Sequence, residues 1–376
     1  RGDDVRVIPT ENALNFVGAA TFEALSGNPV DTGVFSRVDE VQHVRLGQEA
    51  DLVVVAPATA DFLARVAAGR ADDLLTSTIL VATCPVVLAP AMHTEMWRNP
   101  ATQANVATLR KRGITVLEPA HGRLTGKDTG PGRLPEPQVI AELARTVLRT
   151  GAFLPTLAGT RVVISAGGTR ESIDPVRFIG NHSSGKQGFA LGDVAAQRGA
   201  SVTIVAGATD ELEAPSGAEI VRVRTTRDMQ REMMERAPEA DVVVMAAAVA
   251  DFRPAAESDT KLKKGKSDDA LATLRLTENP DILKSLVEMR EDGASRAVII
   301  GFAAETDHEL ENGRAKLARK GADMLMLNSV AGGGVFGQAR NRGWLLSADG
   351  GVEEIPDGTK HEVAVRIWDA VERLLK

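Results

Sequence analysis

The most informative segment of this 376-residue chain covers residues 165–188, SAGGTRESIDPVRFIGNHSSGKQG. The apolar run at residues 161–164 predicts a strand immediately before it, and a helical pattern follows it. Two glycines end the strand and a Gly/Ser/Lys turn opens the helix, so backbone N–H groups and cations are expected to converge where an anion could bind. The segment therefore predicts a phosphate or acyl-phosphate site between a strand and a helix.

Short apolar runs alternate with helical patterns along the whole chain. Strand-like runs cover residues 5–8, 52–56, 86–89 and 115–117 in the first half, and residues 162–165, 202–206, 242–246, 298–302 and 324–328 in the second. Helical patterns between them, such as residues 60–68 and 102–112, predict parallel sheets covered on both faces. The predicted fold class is α/β, with two Rossmann-like, doubly wound domains whose sheets are mainly parallel.

The boundary between the two predicted domains lies near residue 155. A helix over residues 138–149 closes the first half, and residues 151–159 form a short linker pattern. We therefore predict one domain over residues 1–155 and another over residues 156–376. A hairpin is expected at residues 343–355 and a final amphipathic helix at 360–376. Because the chain begins at Arg1 and enters a predicted strand almost at once, we expect further N-terminal residues, including a first Gly-rich turn, to precede it.

Composition argues against several classes of protein. The net charge of −7 and a pI of about 5.6 disfavour a nucleic-acid partner, although Lys261, Lys263, Lys264 and Lys266 form a local basic cluster. The longest apolar runs, residues 52–60 and 242–250, are far short of the ~20 residues that cross a bilayer, so no membrane partner is expected. A single cysteine, Cys84, excludes an intrachain disulfide framework and favours a cytoplasmic location.

Two segments of the chain resemble each other. Residues 50–62 and 240–252 are identical at nine of thirteen positions, and each is predicted to be a buried strand followed by small residues and an aspartate. Strand ends can converge in composition. Alternatively, each loop lies at the carboxyl edge of its sheet, where small side chains let a flat ring or a phosphate approach the backbone. Both interpretations predict two α/β halves.

Carboxylates and cations in the second half indicate a nucleotide site. Asp251 follows a predicted strand and Lys261 follows about one loop later, as a metal–triphosphate site requires, although a lysine-rich loop is more often a solvated surface. Asn279 is predicted to be the N-cap of a helix with Pro280 at its first position, and the free N–H groups of that helix could face a nucleotide. Lys316 and Lys320 are four residues apart on the next helix, so they share one face and could hold a polyphosphate.

These residues lie in stretches that resemble a known family. GGTRESIDPVRFIGNHSSGKQG, AAAVADF with KLKK, NPDIL, GFAAET and KLARKGAD are spread over residues 160–330. They are similar to the ligase domain of the bifunctional phosphopantothenoylcysteine decarboxylase/phosphopantothenate–cysteine ligases of bacterial coenzyme A synthesis. The resemblance implies that the carboxylate of 4'-phosphopantothenate attacks the α-phosphate of CTP. The acyl-cytidylate then reacts with the amine of L-cysteine and releases CMP.

The resemblance also implies roles for individual residues. Asn181 would hold the acyl-cytidylate, Arg177 would orient its charged groups, and Lys261 would neutralise charge on the phosphates. Asp251 would contact the nucleotide. Further nucleotide-binding residues implied by position are Gly168, Met245, Ala246, Ala247, Pro280, Asp281, Ile282, Leu283, Phe302, Lys316 and Lys320. Mg²⁺ is expected to bridge the phosphates, and no set of protein ligands for it is implied.

In the first half, residues 90–97, PAMHTEMW, follow a predicted strand and by composition alone could be core. Together with APATA at residues 56–60 and with His43, they resemble the flavin-containing cysteine decarboxylases, which bind FMN between subunits. The resemblance implies that His43 acts as a base or orients the substrate carboxylate. The residues implied to contact FMN are Pro57, Ala58, Thr59 and Met92. Oxidation of the cysteine thiol by FMN supplies the electron sink that loss of CO2 needs.

Two departures from the decarboxylase pattern affect this second site. His93 stands where the family has Asn, so the contacts of that Asn must be made differently. The family's reductive-step cysteine should fall just before residues 128–133, yet residues 124–127 read LTGK. Cys84, at the start of a predicted buried strand, is a poor replacement. The proton donor therefore stays open among His93, Thr125 and Lys127.

Three hypotheses follow from the sequence. The leading one is a bifunctional enzyme that converts 4'-phosphopantothenate and L-cysteine to 4'-phosphopantetheine. In the second, only the ligase is active and the first half is an oligomerisation scaffold. The third, an NAD-type oxidoreductase, is disfavoured because the chain has no Gly-x-Gly-x-x-Gly fingerprint, and it has no Walker A loop either. Family likeness suggests a homo-oligomer, with trimers through the first half and dimers through the second.

Overall fold

The computed structural model describes residues 2–30, 41–123, 129–263, 273–305, 308–329 and 340–376. The chain divides into two compact units between Leu154 and Pro155. Within the described ranges, no helix combines the length and the apolar character that crossing a membrane requires. Thr125, Lys127, Lys264 and Lys266, which the sequence singled out, lie outside the described residues.

The first unit contains a small parallel sheet and a separate hairpin. The sheet has the order β1-β2-β3, and both of its strand pairs are parallel. Its strands and those of the hairpin are β1 (Val53–Ala58), β2 (Val86–Pro90), β3 (Thr115–Val116), β4 (Ala120–Arg123) and β5 (Thr129–Arg133). All five residues of β2 are buried, as expected for the central strand of a covered sheet.

Eight helices of the first unit lie among the described residues. They are α1 (Glu11–Leu14), α2 (Ala19–Ser26), α3 (Gln42–Glu49), α4 (Ala60–Ala67), α5 (Leu74–Val81), α6 (Thr94–Arg98), α7 (Pro100–Lys111) and α8 (Pro137–Thr150). Local sequence explains several of their starts: Thr59 caps α4 through its hydroxyl, and Asp73 and Thr76 form a capping box on α5. Pro100 occupies the first position of α7, where its missing N–H costs nothing.

The strand predicted at residues 5–8 is wrong. The backbone of residues 2–10 pairs with no strand among the described residues, and Val5 is 51% exposed. The carbonyl of Val5 instead accepts a hydrogen bond of 3.0 Å from the side chain of Asn28. Ile8 packs against the core of the unit, so the apolar character of this run serves packing and not sheet formation.

The second unit is built on an eight-stranded sheet with the order β10-β9-β6-β11-β14-β15-β16-β17. Twelve strands of this unit lie in the part of the chain that the structure describes: β6 (Arg161–Ala166), β7 (Arg170–Ser172), β8 (Phe178–Gly180), β9 (Ser201–Ala206), β10 (Ala218–Arg222), β11 (Val242–Met245), β12 (Phe252–Pro254), β13 (Leu276–Glu278), β14 (Val298–Glu305), β15 (Met324–Ser329), β16 (Arg340–Ser347) and β17 (Val352–Thr359). The first six strands in this sheet order, β10-β9-β6-β11-β14-β15, run parallel to one another. Numbered along the chain, they have the Rossmann order 3-2-1-4-5-6. This arrangement confirms the predicted doubly wound fold.

The helices of this unit are α9 (Lys186–Gln197), α10 (Thr226–Arg236), α11 (Ile282–Glu291), α12 (Glu309–Lys320) and α13 (Lys360–Leu374). Buried residues of α10, α11 and α12 share a core with the sheet, whereas α9 and α13 pack against each other. The antiparallel β16–β17 pair confirms the hairpin predicted near residues 343–355. Two short antiparallel ribbons, β7–β8 and β12–β13, leave the main sheet after β6 and β11.

Candidate active sites

Two loops meet at the carboxyl edge of the large sheet, one after β6 and one after β11. The N–H of Ala247 donates to the hydroxyl of Ser165 at 3.2 Å, and the N–H of Ala248 donates to the carbonyl of Gly167 at 2.8 Å. Because β6 lies between β9 and β11, the strand order reverses here, and open α/β sheets bind ligands in the crevice at such a point. Four predicted nucleotide-binding residues lie in these loops or just before them: Gly168, Met245, Ala246 and Ala247.

The turn after β6 requires glycine at two successive positions. Gly167 has a φ of +76°, which L side chains rarely adopt. A Cβ added to Gly168 would lie 2.6 Å from the carbonyl oxygen of Asn181, so only glycine lets these two segments approach. The Asn181 side chain donates to the carbonyl of Val249 at 2.9 Å. These contacts fix Asn181 beside both loops.

A buried carboxylate, Asp174, connects Arg177 to the segment that carries Lys261. Asp174 accepts from the backbone N–H groups of Val176 and Arg177, both at 2.8 Å, and from Leu262 at 3.2 Å. The Arg177 guanidinium donates to Asp174 at 2.7 Å and to the carbonyl of Leu262 at 3.2 Å. Two residues that are far apart in the sequence, Arg177 and Lys261, are therefore brought to the same part of the site.

The environment of Asp174 keeps it ionised. Burial would raise the pKa of its carboxyl, but the backbone hydrogen bonds from Val176, Arg177 and Leu262, together with the charge of Arg177, lower that pKa below the usual range. The sequence did not single out Asp174. An acidic residue before proline in a loop is ordinary, and only the structure shows that it is fully buried.

A second buried network was also missed by the sequence prediction. The hydroxyl of Thr169 accepts from the N–H of Ala250 at 2.9 Å and lies 3.1 Å from the hydroxyl of Thr226. The N–H and hydroxyl of Thr226 donate to Glu171 at 2.8 and 2.9 Å. The side chain of Asn279 donates to the carbonyl of Ala250 at 2.8 Å. The network ties the loops after β6 and β11 to the start of α10.

The N-cap prediction for Asn279 is wrong. Helix α11 begins at Ile282, and its N-cap is Asp281, whose carboxylate accepts from the N–H of Lys284 at 3.1 Å. Asn279 is instead occupied in the buried network, and its N–H donates to the carbonyl of Asp251 at 2.8 Å. Pro280 lies before the helix and not at its first position.

Several other predicted nucleotide residues lie at the starts and on the faces of α11 and α12. The Lys320 ammonium forms an ion pair with the carboxylate of Asp281. Burial would raise the pKa of Asp281, but Lys320 and the N–H of Lys284 lower it. Ile282 is 2% exposed and belongs to the core, so only its backbone can meet a ligand. Leu283 packs partly against the same core. The remaining predicted residues Phe302 and Lys316 are half-buried, and Asp251 and Lys261 are exposed.

In the first unit, the loops after β1 and β2 also lie side by side. The N–H of Ala91 donates to the carbonyl of Ala58 at 3.1 Å, and the N–H of Met92 donates to the carbonyl of Gly132 at 2.9 Å. Thr59 accepts from the N–H of Phe62 at 3.2 Å and opens α4. The four residues predicted to contact FMN lie at these strand ends: Pro57 and Ala58 are the last residues of β1, Thr59 follows them, and Met92 lies in the loop after β2.

The two candidate histidines occupy different positions in the first unit. His93 is exposed and directly precedes α6, whereas His43 is half-buried in the first turn of α3, which packs against α5. Cys84 precedes the first residue of β2, whereas His93 follows the last residue of that strand. The five residues of β2, at about 3.3 Å each, separate the two ends of the strand by roughly 17 Å. Burial raises the pKa of the Cys84 thiol. Both observations agree that Cys84 is a poor replacement for the missing cysteine.

Within the described part of the chain, no three His, Cys, Asp or Glu side chains are grouped as a metal site requires. The fold and these loops define the class of protein. It is an α/β protein of two units, one of which has a Rossmann-order sheet. Glycine turns and cations lie at the switch point of that sheet. Comparison with known proteins identifies the family within that class.

Residues 157–375 match the family model of the DNA/pantothenate metabolism flavoprotein C-terminal domain, and residues 1–149 match the Flavoprotein model. A relative from Mycolicibacterium smegmatis, "Coenzyme A biosynthesis bifunctional protein CoaBC", is 56% identical over 100% of this chain and 92% of its own length. The protein of that name from Mycobacterium tuberculosis is 57% identical over 98% of this chain and 89% of its own length. The chain belongs to the family of coenzyme A biosynthesis bifunctional proteins, which confirms the resemblance found in the motifs.

Among solved structures, the chain is similar to the crystal structure of the C-terminal domain of a coenzyme A biosynthesis bifunctional protein CoaBC. That structure is 37% identical, has a TM-score of 0.50, and covers 59% of this chain and 98% of its own. The similarity is at the level of family and fold. It adds no information about individual site residues.

Proposed function

We propose that the chain catalyses two consecutive steps of coenzyme A synthesis. A ligase domain, residues 156–376, joins 4'-phosphopantothenate to L-cysteine with CTP, and a decarboxylase domain, residues 1–155, converts the product to 4'-phosphopantetheine. One observation carries the ligase proposal: residues predicted to bind the acyl-cytidylate lie together at the switch point of the sheet. The Gly168 turn contacts Asn181, and Arg177 contacts Asp174 and Leu262. Membership of the CoaBC family supports both activities.

Ligation proceeds in two steps. A carboxylate oxygen of 4'-phosphopantothenate attacks the α-phosphate of CTP, which expels pyrophosphate and leaves an acyl-cytidylate. The amine of cysteine then attacks the acyl carbon, so an amide forms, the amine loses a proton and CMP leaves. Lys261 reduces the charge that develops on the phosphates. Arg177, fixed by Asp174, orients the charged groups, and Asn181, tethered to Val249, holds the acyl-cytidylate.

The nucleotide lies across the loops after β6 and β11. Small residues at positions 246 and 247 let the cytidine approach the backbone closely. Asp251 contacts the nucleotide, and Lys316 and Lys320 hold the triphosphate as point charges. The Asp281–Lys320 pair keeps that lysine in place before the nucleotide binds. Mg²⁺, when bound, would be held mainly by the phosphates and would neutralise part of their charge.

The loops after β1 and β2 fit FMN. Ala58 adds little bulk beside the backbone, and the Thr59 hydroxyl, which accepts from Phe62, retains its own proton to donate. When bound, FMN would supply the electron sink that loss of CO2 needs, because it would take two electrons from the cysteine thiol and return them after decarboxylation to give the saturated product. His43 acts as a base or orients the carboxylate that is lost, and His93 contacts the substrate in place of the family's Asn.

A homo-oligomer of this chain, with dimers through the ligase domain, is supported by the surface of the two ribbons. Val176, Phe178, Phe252 and Leu276 are between 46% and 59% exposed, and β7 contacts β12. Exposed apolar groups that share a surface are typical of association sites. Trimers through the decarboxylase domain and a cytoplasmic location complete the proposal, the latter because the single cysteine favours a reducing compartment.

The ligase is tested by incubating the full chain with CTP, 4'-phosphopantothenate and cysteine and measuring CMP and pyrophosphate. Asn181→Ala should abolish most of both products, whereas the control Asn15→Ala, at an exposed asparagine of the first unit, should not. A folded wild-type chain that forms neither product would refute ligation. Flavin absorbance of the purified chain and CO2 release from 4'-phosphopantothenoylcysteine test the other half. The absence of both would favour the scaffold hypothesis for the first domain.

A further inference from the structure

Two lysines occupy the first helical positions of neighbouring helices at the edge of the ligase site. Lys186 opens α9, directly after the NHSSG turn, and Lys360 opens α13. The two helices pack against each other, and the side chain of Gln187 donates to the carbonyl of Lys360 at 3.1 Å. Thr359, the residue before Lys360, is the last residue of β17 and pairs with Arg340 at the start of β16. The antiparallel pairing of β15 with β16 places that point at the edge of the sheet where β15 ends. Both lysines therefore lie at the carboxyl edge, on the side where ligands bind.

Buried amides hold these two helix starts in a fixed position. The side chain of Asn341, which is 3% exposed, donates to Gln187 at 3.2 Å and to Asn328 at 2.8 Å. Gln187 in turn donates to the carbonyl of Lys360. The ends of two strands and the starts of two helices are thus linked through one set of amides. The lysine backbones cannot separate without breaking that set.

The Lys360 ammonium lies in an electrostatically unfavourable position at the start of its helix. The first turn of a helix carries the positive end of its dipole and disfavours cations. The Lys186 ammonium lies 3.4 Å from the carboxylate of Asp210. In the part of the chain that the structure describes, no carboxylate forms an ion pair with Lys360. Burial and the charge of Lys186 lower the pKa of Lys360 to about 8.

We infer that Lys360, together with Lys186, binds a phosphate group of a ligase substrate. The inference rests on the proposed ligase function. A dianionic phosphate compensates the Lys360 ammonium and the positive ends of the two helices. The phosphate comes either from the monoester of 4'-phosphopantothenate or from the distal phosphates of CTP, since both carry the same chemistry into the same crevice.

Steady-state kinetics of three variants of the full chain test the site. Lys360→Met keeps the length of the side chain and removes the charge, Lys360→Arg keeps the charge, and Lys111→Met is a control at an exposed lysine of the first unit. Loss of a charge-assisted contact should raise one KM by about tenfold or more in Lys360→Met. Lys360→Arg should restore most of the affinity, and the control should match the wild type.

The two sources of phosphate are distinguished by which constant changes. If the site takes the monoester, KM for 4'-phosphopantothenate rises and the preference for it over pantothenate, which has no phosphate, falls. If it takes the nucleotide, KM for CTP rises and that preference is unchanged. The melting temperature of Lys360→Met should not fall, because removing a repelled cation from a helix start costs no favourable charge interaction.

A binding measurement keeps the test independent of turnover. Acetylation of lysines at pH about 7.5, followed by mass spectrometry, should modify Lys360, because a pKa of about 8 leaves part of its amine neutral. Either 4'-phosphopantothenate or CTP should protect Lys360 and not Lys111. Protection in a chain that forms no CMP would support the site while refuting ligation. No protection, with both KM values of Lys360→Met within about twofold of wild type, would overturn the inference.

Discussion

Replacing Gly168 with alanine should damage ligation far more than folding. The new Cβ would lie 2.6 Å from the carbonyl oxygen of Asn181, and an ordinary contact begins at 3.4 Å, so the two must separate by about 0.8 Å. Gly168 exchanges two hydrogen bonds of 2.8 Å with Ala208, which hold it on its other side, so the displacement falls on Asn181. Overpacking of this kind costs about 1–3 kcal/mol of stability. A shift of about 1 Å in a catalytic group can lower the rate about 10²-fold.

The assay is the release of pyrophosphate from CTP and 4'-phosphopantothenate in the absence of cysteine, measured in a single turnover. This reaction reports formation of the acyl-cytidylate alone. Urea unfolding gives the change in stability, and Gly18→Ala is the control because nothing lies within 4 Å of its added Cβ. A rate for Gly168→Ala within about threefold of wild type, with the variant folded, would show that the close approach to Asn181 does not position it for catalysis.

Three further results are expected. Cys84→Ser should retain decarboxylation, measured as CO2 release, because the residue lies at the opposite end of β2 from the candidate site. Asn279→Ala should lower the free energy of unfolding in urea by about 1–3 kcal/mol, because its buried partners lose their hydrogen bonds. Because folding lowers the pKa of Asp281, its carboxylate stabilises the folded state at pH values above 3.8, the usual pKa of aspartate. This stabilisation is lost as the pH falls through the lowered pKa of the folded state. The stability difference between wild type and Asp281→Asn should therefore shrink as the pH is lowered through and below 3.8, and an unchanged difference would contradict the Lys320 pair.

The parallel strands of the second unit could be predicted from sequence because they are buried. All four residues of β11 and five of the six residues of β6 are buried, so β11 and residues 162–164 of β6 appear as uninterrupted apolar runs. The strand β10 was not predicted, since it lies at the sheet edge with only one buried residue. The ribbons β7–β8 and β12–β13 are three residues per strand and partly exposed, which leaves too short a pattern to detect.

The candidate site was only partly predictable for a different reason. Sheet topology brings the carboxyl ends of β6 and β11 together, so their loops could be paired from the order of elements alone. The contacts of Asp174 with Leu262 and of Asn279 with Ala250 join segments that no local pattern relates. Buried polar groups must find partners, but which partner is chosen depends on tertiary packing.

The similar segments at residues 50–62 and 240–252 show how far local sequence determines a ligand loop. Both begin as parallel strands, yet β1 passes at once into α4, because Thr59 caps that helix and places Asp61 in its first turn. The segment directly after β11, residues 246–251, forms no helix, since the carbonyl of Val249 accepts from Asn181 and Ala250 bonds to both Thr169 and Asn279. These long-range partners leave Asp251 exposed beside the crevice. The shared residues therefore encode the buried strand, and the difference between a helix start and a nucleotide loop comes from one capping hydroxyl and from contacts outside the segment.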